Sequence, residues 1–307
     1  MVKSIKAAAA LQTALRSGQP TVAPFAADPL TVMLVQRLGF PAAYLGGGAL
    51  GYLLGVTEAR LTSTDVVTIV RQITAVCDLP LIVDGTTGFG DPIHVLRTVR
   101  DLERAGAGGV EIEDQLTPKH AHHHRGIDHP IALEAMVEKI QAAVDAREDP
   151  DFLIIARTNT IGEVNLAEGI RRAVAYAEAG ADLILALPRT EEEYRALPRA
   201  VPKPLAAMTI AVGRAPLFSP AQLHDLGYPL VLEAQAGMLA AYAAVRRAYR
   251  EMLTQGYADF DPQELREIRT EINDLCDLPR LWALEERTTE RPDRLPAYGD
   301  RTGTTES

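Results

Sequence analysis

The chain has 307 residues, with 31 Lys plus Arg against 41 Asp plus Glu; its formal net charge of −10 and lack of any basic stripe exclude the electrostatic face of a nucleic-acid binder. A hydrophobic content of 47% supports a large core, and no apolar run reaches the roughly 18 residues of a membrane span, so a cytoplasmic protein with no nucleic-acid or membrane partner is expected. The two cysteines, Cys77 and Cys276, lie far apart in no metal or redox spacing, as suits a reducing compartment.

In chain order, MVKSIKAAAALQTALRSGQP has lysines and alanines but no apolar core before a cleavage site, and reads as a first amphipathic helix. Strand-like runs then follow at 21–26, 42–47, 79–85, 108–114, 152–158, 182–187, 203–208 and 229–234. Between them lie segments of helical spacing, such as Pro92–Ala105, Leu133–Ala146 and Leu166–Ala179. Continuous apolar strands separated by helices indicate a parallel sheet buried on both faces. Eight such units predict an α/β fold, a (β/α)8 TIM barrel. A weak repeat agrees: RLGFPAAYL, RAGAGGVEI, EAGADLILA and DLGYPLVLE each end a helix at Gly before the next strand, so those glycines are punctuation. Gly237–Gln255 and Asp261–Glu286 are expected as two further helices that barrel closure does not require and that a second subunit can cover. Residues 1–290 are read as a single barrel domain, and 291–307 as a disordered tail.

Reactive groups of such barrels sit at the C-terminal ends of the strands and in the loops after them. That rule selects Gly46, Gly47 and Gly48 after strand two, Asp84 after strand three, and Glu111, Glu113 and Asp114 on strand four. It also selects Arg157, Thr158 and Asn159 after strand five, and Glu233 after strand eight. Asp84 and Glu113 on neighbouring strands can share Mg²⁺, which takes few protein ligands and keeps water. Arg157 can grip a carboxylate bidentately, and the glycine amides can approach an anion closely. Together these describe a site for a small anionic oxy-acid; the alternative is a structural ion network in the barrel mouth. Five of the seven histidines fall between His120 and His129, just after strand four. Consecutive His122, His123 and His124 point in different directions and cannot all face one ion. A polar lid bringing one lysine and one histidine to a closed site is expected over a histidine metal site.

The stretches AAYLGGGALGYLLG, LPLIVDGTTGFGDP, AGAGGVEIEDQLTPKH, PDFLIIARTN and APLFSPAQLHDLGY resemble the isocitrate lyase/phosphoenolpyruvate mutase superfamily, in particular its methylisocitrate lyase-like and 2,3-dimethylmalate lyase-like branch, over about residues 8–285. The resemblance implies Mg²⁺ (or Mn²⁺) as cofactor and a lid after strand four. It also implies a homodimer or homotetramer in which a C-terminal helix is swapped between subunits. By position it implies Asp84 and Glu113 as metal-side carboxylates, to which the departure at Glu111 adds a third candidate, and Tyr44, Gly46, Gly47, Gly48, Asp84 and Arg157 around the substrate. Lys119, His123 and Arg157 take the catalytic positions. Several positions depart from the branch: Ala121 replaces the lid cysteine that donates a proton, and Thr86 replaces a second aspartate. Glu111 replaces a histidine and Gly46 a serine, while Leu187 and Met208 stand where a glutamate and an asparagine are usual.

The resulting expectation is a metal-dependent carbon–carbon lyase acting on a small 2-hydroxy- or 2-oxo-dicarboxylate through a metal-stabilised enolate, without cysteine-dependent isocitrate cleavage. His123, or Lys119 with a lowered pKa, then supplies the proton. The alternatives are a decarboxylase or hydrolase of an oxaloacetate-like acid, a phosphonate-type mutase, and a non-catalytic barrel that binds a small acid.

Overall fold

Apolar runs with small residues at their flanks became eight short parallel strands. These are β1 (Thr21–Ala23), β2 (Ala43–Leu45), β3 (Leu81–Asp84), β4 (Gly109–Glu113), β5 (Leu153–Arg157), β6 (Leu183–Leu185), β7 (Leu205–Thr209) and β8 (Leu230–Glu233). The computed structural model describes residues 2–210 and 216–291; most of the tail expected to be disordered therefore lies outside the described residues. Strand order is β1-β8-β7-β6-β5-β4-β3-β2, and an isolated parallel bridge from Phe25 to Tyr44 joins β1 to β2. The amides of Tyr44 and Ala26 complete that seam, donating to the Pro24 and Tyr44 carbonyls at 2.9 Å each. The (β/α)8 barrel is thus as the sequence pattern predicts.

The interior is filled by alternate residues: Ala23, Tyr44, Ile82, Leu153 and Ile155, Leu183 and Leu185, Ala206, and Leu230 with Leu232. Leu11 and Leu15 of the helix Val2–Leu15 join this cluster, and Leu11 is fully buried. Outer helices bury one stripe against the sheet. On Pro92–Arg104 the stripe is Val95, Val99 and Leu102, spaced four and three residues apart, with polar residues on the opposite face. Burying each of these aliphatic side chains contributes about 1.5–3 kcal/mol. The helix starts at Asp91-Pro92, where the missing proline N–H is harmless, and ends before Gly106 at φ 97°. The other three glycines of the repeat, Gly39, Gly180 and Gly227, also have positive φ, as their role after helix ends requires.

Two compact units divide the chain between Arg246 and Arg247. In the second, the single helix expected over Asp261–Glu286 is instead two, Pro262–Leu275 and Leu278–Glu286, which pack on each other. Asp261 caps the first helix as expected, its carboxylate accepting from the Gln263 amide at 2.8 Å. The break falls at Asp277, in the left-handed region at φ 59°, two residues before Pro279, which cannot donate within a continuing helix. No helix among the described residues is long and apolar enough to cross a membrane.

Candidate active site

The C-terminal mouth opens into a cavity of about 450 Å³ lined by Tyr44, Gly46–Gly48, Glu58, Asp84, His123 and Arg157 on one side, and by Met208, Ile210 and Leu239 on the other. Alternation along the strands explains the charged side. In parallel register Asp84 pairs with Glu111, and Glu113 pairs with Arg157, so neighbouring strands deliver acids and a base to one level of the barrel.

Asp84 is buried, and its Oδ1 and Oδ2 accept from the amides of Thr86 at 2.7 Å and Gly47 at 2.9 Å. Gly47 opens the short helix Gly47–Leu53, so its N–H is one of the donors a helix start leaves unpaired. A Cβ there would lie 3.1 Å from Asp84 Oδ2 and from Glu58 Cγ, which is why the close approach needs glycine. The Gly47 amide expected to meet substrate is therefore already committed to Asp84. Burial, and then the crowding of Glu111 and Glu58, push the Asp84 carboxyl well above the usual aspartate range.

Glu111, wholly buried, accepts from Tyr44 Oη at 3.0 Å and from Arg157 Nη1 at 2.8 Å. Burial raises its pKa against the lowering pull of Arg157. The Arg157 guanidinium also donates through Nε to Asn159 at 3.0 Å and lies 3.6 Å from Glu113. Burial opposes its charge, yet Glu113, Glu111 and Asp84 outweigh that and hold it firmly protonated.

Lys119 reaches down from the lid and pairs with both Glu58 and Glu113; all three side chains are nearly inaccessible. The expectation that Lys119 has a lowered pKa is corrected here. Burial does act downward, but the two flanking carboxylates overcome it and raise the ammonium above its ordinary value. Lys119 is held as a fixed cation and does not line the cavity. Burial pushes the Glu58 carboxyl up, but Lys119 and His123 more than offset it and hold it well below its usual value.

The lid runs from Gln115 to Pro130, which form an isolated antiparallel bridge, and contains one short 3₁₀ turn, Ala121–Arg125. The three consecutive histidines do not all diverge as expected, because the His123 and His124 rings lie 3.9 Å apart and both line the cavity. His122 is exposed, His124 Nδ1 meets Tyr52 Oη at 2.9 Å, and His123 Nε2 lies 3.1 Å from Glu58 Oε2. His123 Nδ1 is 2.8 Å from the His120 carbonyl. The carbonyl can only accept, so Nδ1 carries a proton, whereas Nε2, near the Glu58 carboxylate, makes no hydrogen bond among the described residues. Ala121 begins the 3₁₀ turn and is exposed. Asp114, the third acid of strand four, belongs to a different network. Its Oδ2 accepts from Thr158 (2.7 Å), Tyr176 (2.7 Å) and Arg172 (2.9 Å), and Arg172 in turn donates to the Ile131 carbonyl at 2.8 Å. This network ties the far end of the lid to the barrel wall.

Sequence reasoning missed Glu58. It sits on a 3₁₀ turn, Glu58–Arg60, beyond the helix Gly47–Leu53. A Cβ on Gly51 would come within 2.3 Å of the Glu58 amide, so glycine lets that turn fold back over the mouth. An acid standing alone in VTEARL carries no spacing signal; the glycine four residues after Gly47 was the only hint.

No group of three or more His, Cys, Asp or Glu among the described residues converges tightly enough to hold an ion alone. The donor chemistry nonetheless fits a hydrated Mg²⁺. Four carboxylates, Asp84, Glu58, Glu111 and Glu113, face Lys119, Arg157 and the His123 ring, and Asp84 is raised by burial and then by carboxylate crowding, which a dication relieves. The carboxylates that line the cavity are those of Asp84 and Glu58, with Glu111 and Glu113 engaged behind them.

A barrel whose mouth gathers an oxygen-rich acidic cluster, an arginine and a lid-borne histidine has the make-up of an enzyme active site. Residues 11–253 match the family described as phosphoenolpyruvate phosphomutase, and the chain belongs to it, within the PEP mutase/isocitrate lyase superfamily. It is 38% identical over 241 residues to 2,3-dimethylmalate lyase of Eubacterium barkeri, covering 78% of this chain and 83% of that one. Among solved structures it is similar to oxaloacetate acetylhydrolase in complex with 3,3-difluorooxalacetate (TM-score 0.84, 26% identity, 94% of this chain and 99% of that one). It is also similar to phosphonopyruvate hydrolase in complex with oxalate and Mg²⁺ (TM-score 0.78, 30% identity, 92% and 99%).

Proposed function

We propose that the protein is a Mg²⁺-dependent carbon–carbon lyase acting on a small 2-hydroxy- or 2-oxo-dicarboxylate. The observation that carries this reading is the buried excess of carboxylates around Asp84, beside Arg157 and below the His123 ring. Asp84 would hold the ion, with the Glu58, Glu111 and Glu113 carboxylates around it, and the ion would supply Lewis-acid chemistry at the 2-oxygen. Arg157 and the Gly48 end of the short helix bind the adjoining carboxylate, and Tyr44 and Glu111 fix the Arg157 head group in place. In cleavage of a 2-hydroxy acid, the hydroxyl proton passes to Glu58, the ionised carboxylate on the cavity wall, as C2 becomes a carbonyl. The C2–C3 bond breaks, and its electron pair passes to the departing fragment as an enolate. His123 protonates that fragment, in the role a lid cysteine would otherwise fill, and Glu58 holds the ring in position. Lys119 pairs with both Glu58 and Glu113 and helps hold Glu58 ionised.

A hydrolase acting on an oxaloacetate-like acid is the second reading, favoured by Ala121 and by the similarity to oxaloacetate acetylhydrolase. The product separates the two. Incubation with a panel of 2-hydroxy- and 2-oxo-dicarboxylates and Mg²⁺ is expected to release a 2-oxo acid, trapped as its hydrazone; release of oxalate instead supports the hydrolase. Turnover of no panel member would leave the barrel a binding protein. Cys77→Ser is expected to leave turnover intact, because Cys77 is buried against Gln36.

Self-association is part of the same proposal. The C-terminal helices carry Tyr249 and Leu253 at 67% and 86% exposure and Trp282 at 47%, an apolar surface that a second copy of the chain would cover. Light scattering on the purified chain is expected to give a dimer or tetramer, and a monomer would overturn this part.

A further inference from the structure

Lys139 is a buried charge that takes no part in the chemistry above. It lies on the core-facing stripe of the helix Leu133–Ala146, beside Met136, Ile140 and Ala143, and is 5% exposed. An aliphatic residue would fill that place without the cost of burying an ammonium. What the lysine adds is a donor. Its Nζ reaches the Thr87 carbonyl at 3.0 Å, its one hydrogen-bond acceptor among the described residues. Burial pushes its pKa down, against the upward pull of Asp91, Glu113 and Asp114.

Thr87 belongs to the turn that follows Asp84 and leads into the helix Pro92–Arg104. Three residues of this turn are left-handed: Thr86 at φ 50°, Gly88 at 79° and Phe89 at 58°. Thr86 and Phe89 carry side chains that disfavour the region, so the turn keeps this shape only while its surroundings hold it. The holds are specific. The Thr86 carbonyl accepts from the Glu113 amide at 2.9 Å, the Thr87 carbonyl from Lys139, and the Gly88 carbonyl from the Thr98 hydroxyl at 3.1 Å. Two bonds then run from the turn toward the mouth. The Thr86 N–H donates to Asp84 Oδ1 at 2.7 Å, and the Thr87 hydroxyl accepts from the Thr117 hydroxyl at 2.8 Å, two residues before Lys119 in the lid. Lys139 therefore grips the turn where its carboxylate side and its lid side meet.

We propose that Lys139 is a positioning residue for the ion site: from behind the strand ends it fixes the Thr86–Gly88 turn, and through that turn the direction of the Asp84 carboxylate and the stem of the lid. The proposal rests on the lyase reading in taking Asp84 as the residue that holds the ion. With Lys139 removed, Thr86 is free to relax toward negative φ, its N–H turns away from Asp84, and the carboxylate no longer meets the ion in a fixed direction. Arg157 stands on β5 and is reached by none of these bonds, so the grip on a bound acid is expected to survive.

The test is calorimetric titration of Lys139→Met and Lys139→Gln in the full chain, with folding checked by circular dichroism. Mg²⁺ alone probes the ion site, and oxalate at saturating Mg²⁺ probes the Arg157 side. Mg²⁺ affinity is expected to fall about 10-fold in Lys139→Met, at the low end for residues that orient a metal ligand, and less in Lys139→Gln, which keeps an N–H donor. Oxalate affinity is expected to stay within about twofold of the unaltered chain, well under the tenfold that 1.4 kcal/mol represents. If Lys139→Met does not fold, the loss of Mg²⁺ affinity in Lys139→Gln decides. Unchanged Mg²⁺ affinity in the folded variants, or an oxalate affinity that falls in step with it, makes Lys139 a packing residue and overturns the proposal while the lyase reading stands. Failure of both variants to fold overturns it in the same way. Absence of Mg²⁺ binding by the unaltered chain, with and without oxalate, overturns both.

Discussion

The two halves of the barrel mouth are built by the same strand geometry and do opposite things. From β2 to β5 the inward positions at the top are Tyr44, Asp84, Glu111, Glu113 and Arg157; Tyr44, Glu111, Glu113 and Arg157 are joined to one another, and Asp84 is held by two backbone amides. From β6 to β8 the corresponding positions are Leu187, Met208 and Leu232. Charge that is buried must be paired or hold an ion, so the first half is rigid and specifies a head group. The second half packs like a core left open on one side. A barrel can divide labour in this way because its rigid frame leaves each strand end free to vary without disturbing its neighbours.

The comparison is broken most severely at Asp84. Asp84→Asn removes a charge that only the ion and two backbone amides satisfy, and turnover with Mg²⁺ is expected to fall by about 10²–10³-fold, measured against substrate in steady-state assays. Retention of full turnover would place the ion elsewhere. Lys119→Met tests the charged half as structure: it leaves Glu58 and Glu113 buried without their shared cation. Urea denaturation is expected to show a loss of about 3–5 kcal/mol; a loss below about 1 kcal/mol would mean the three groups are solvated.

On the apolar half, Met208→Leu conserves volume and is expected to cost less than about 1.5 kcal/mol by thermal denaturation. The smallest effect lies outside both halves. Glu168, on the helix Leu166–Glu178, pairs with Arg171 and Arg172 at 2.7 Å each, and its pKa is lowered to about 2, chiefly by the Arg171 hydrogen bonds. A carboxylate with a depressed folded pKa adds stability above its unfolded value of 4.5 and loses it as pH falls toward 2. Glu168→Gln is therefore expected to flatten the stability profile between those limits, by about 0–1 kcal/mol as for surface pairs. A steeper profile would contradict the sign.

Much of this division can be read in the sequence. Strands buried on both faces are continuous apolar runs, so their positions were legible, and the polar residue that ends each run identified Asp84, Glu113 and Arg157. Leu187 and Met208 stood out as apolar where the family resemblance implied polar residues. What escaped needed the third dimension. Glu58 is 61 residues from Lys119 and meets it only because glycines let one turn close over another. The direction of the Lys119 shift depends on two carboxylates that flank it from different segments.

The claim on which the rest depends is that the acidic half holds a divalent ion together with a small acid. Titrating Mg²⁺ into the full chain by calorimetry, with and without saturating oxalate, tests it directly. The account predicts saturable Mg²⁺ binding that oxalate tightens and Asp84→Asn removes; no Mg²⁺ binding in either titration would contradict it.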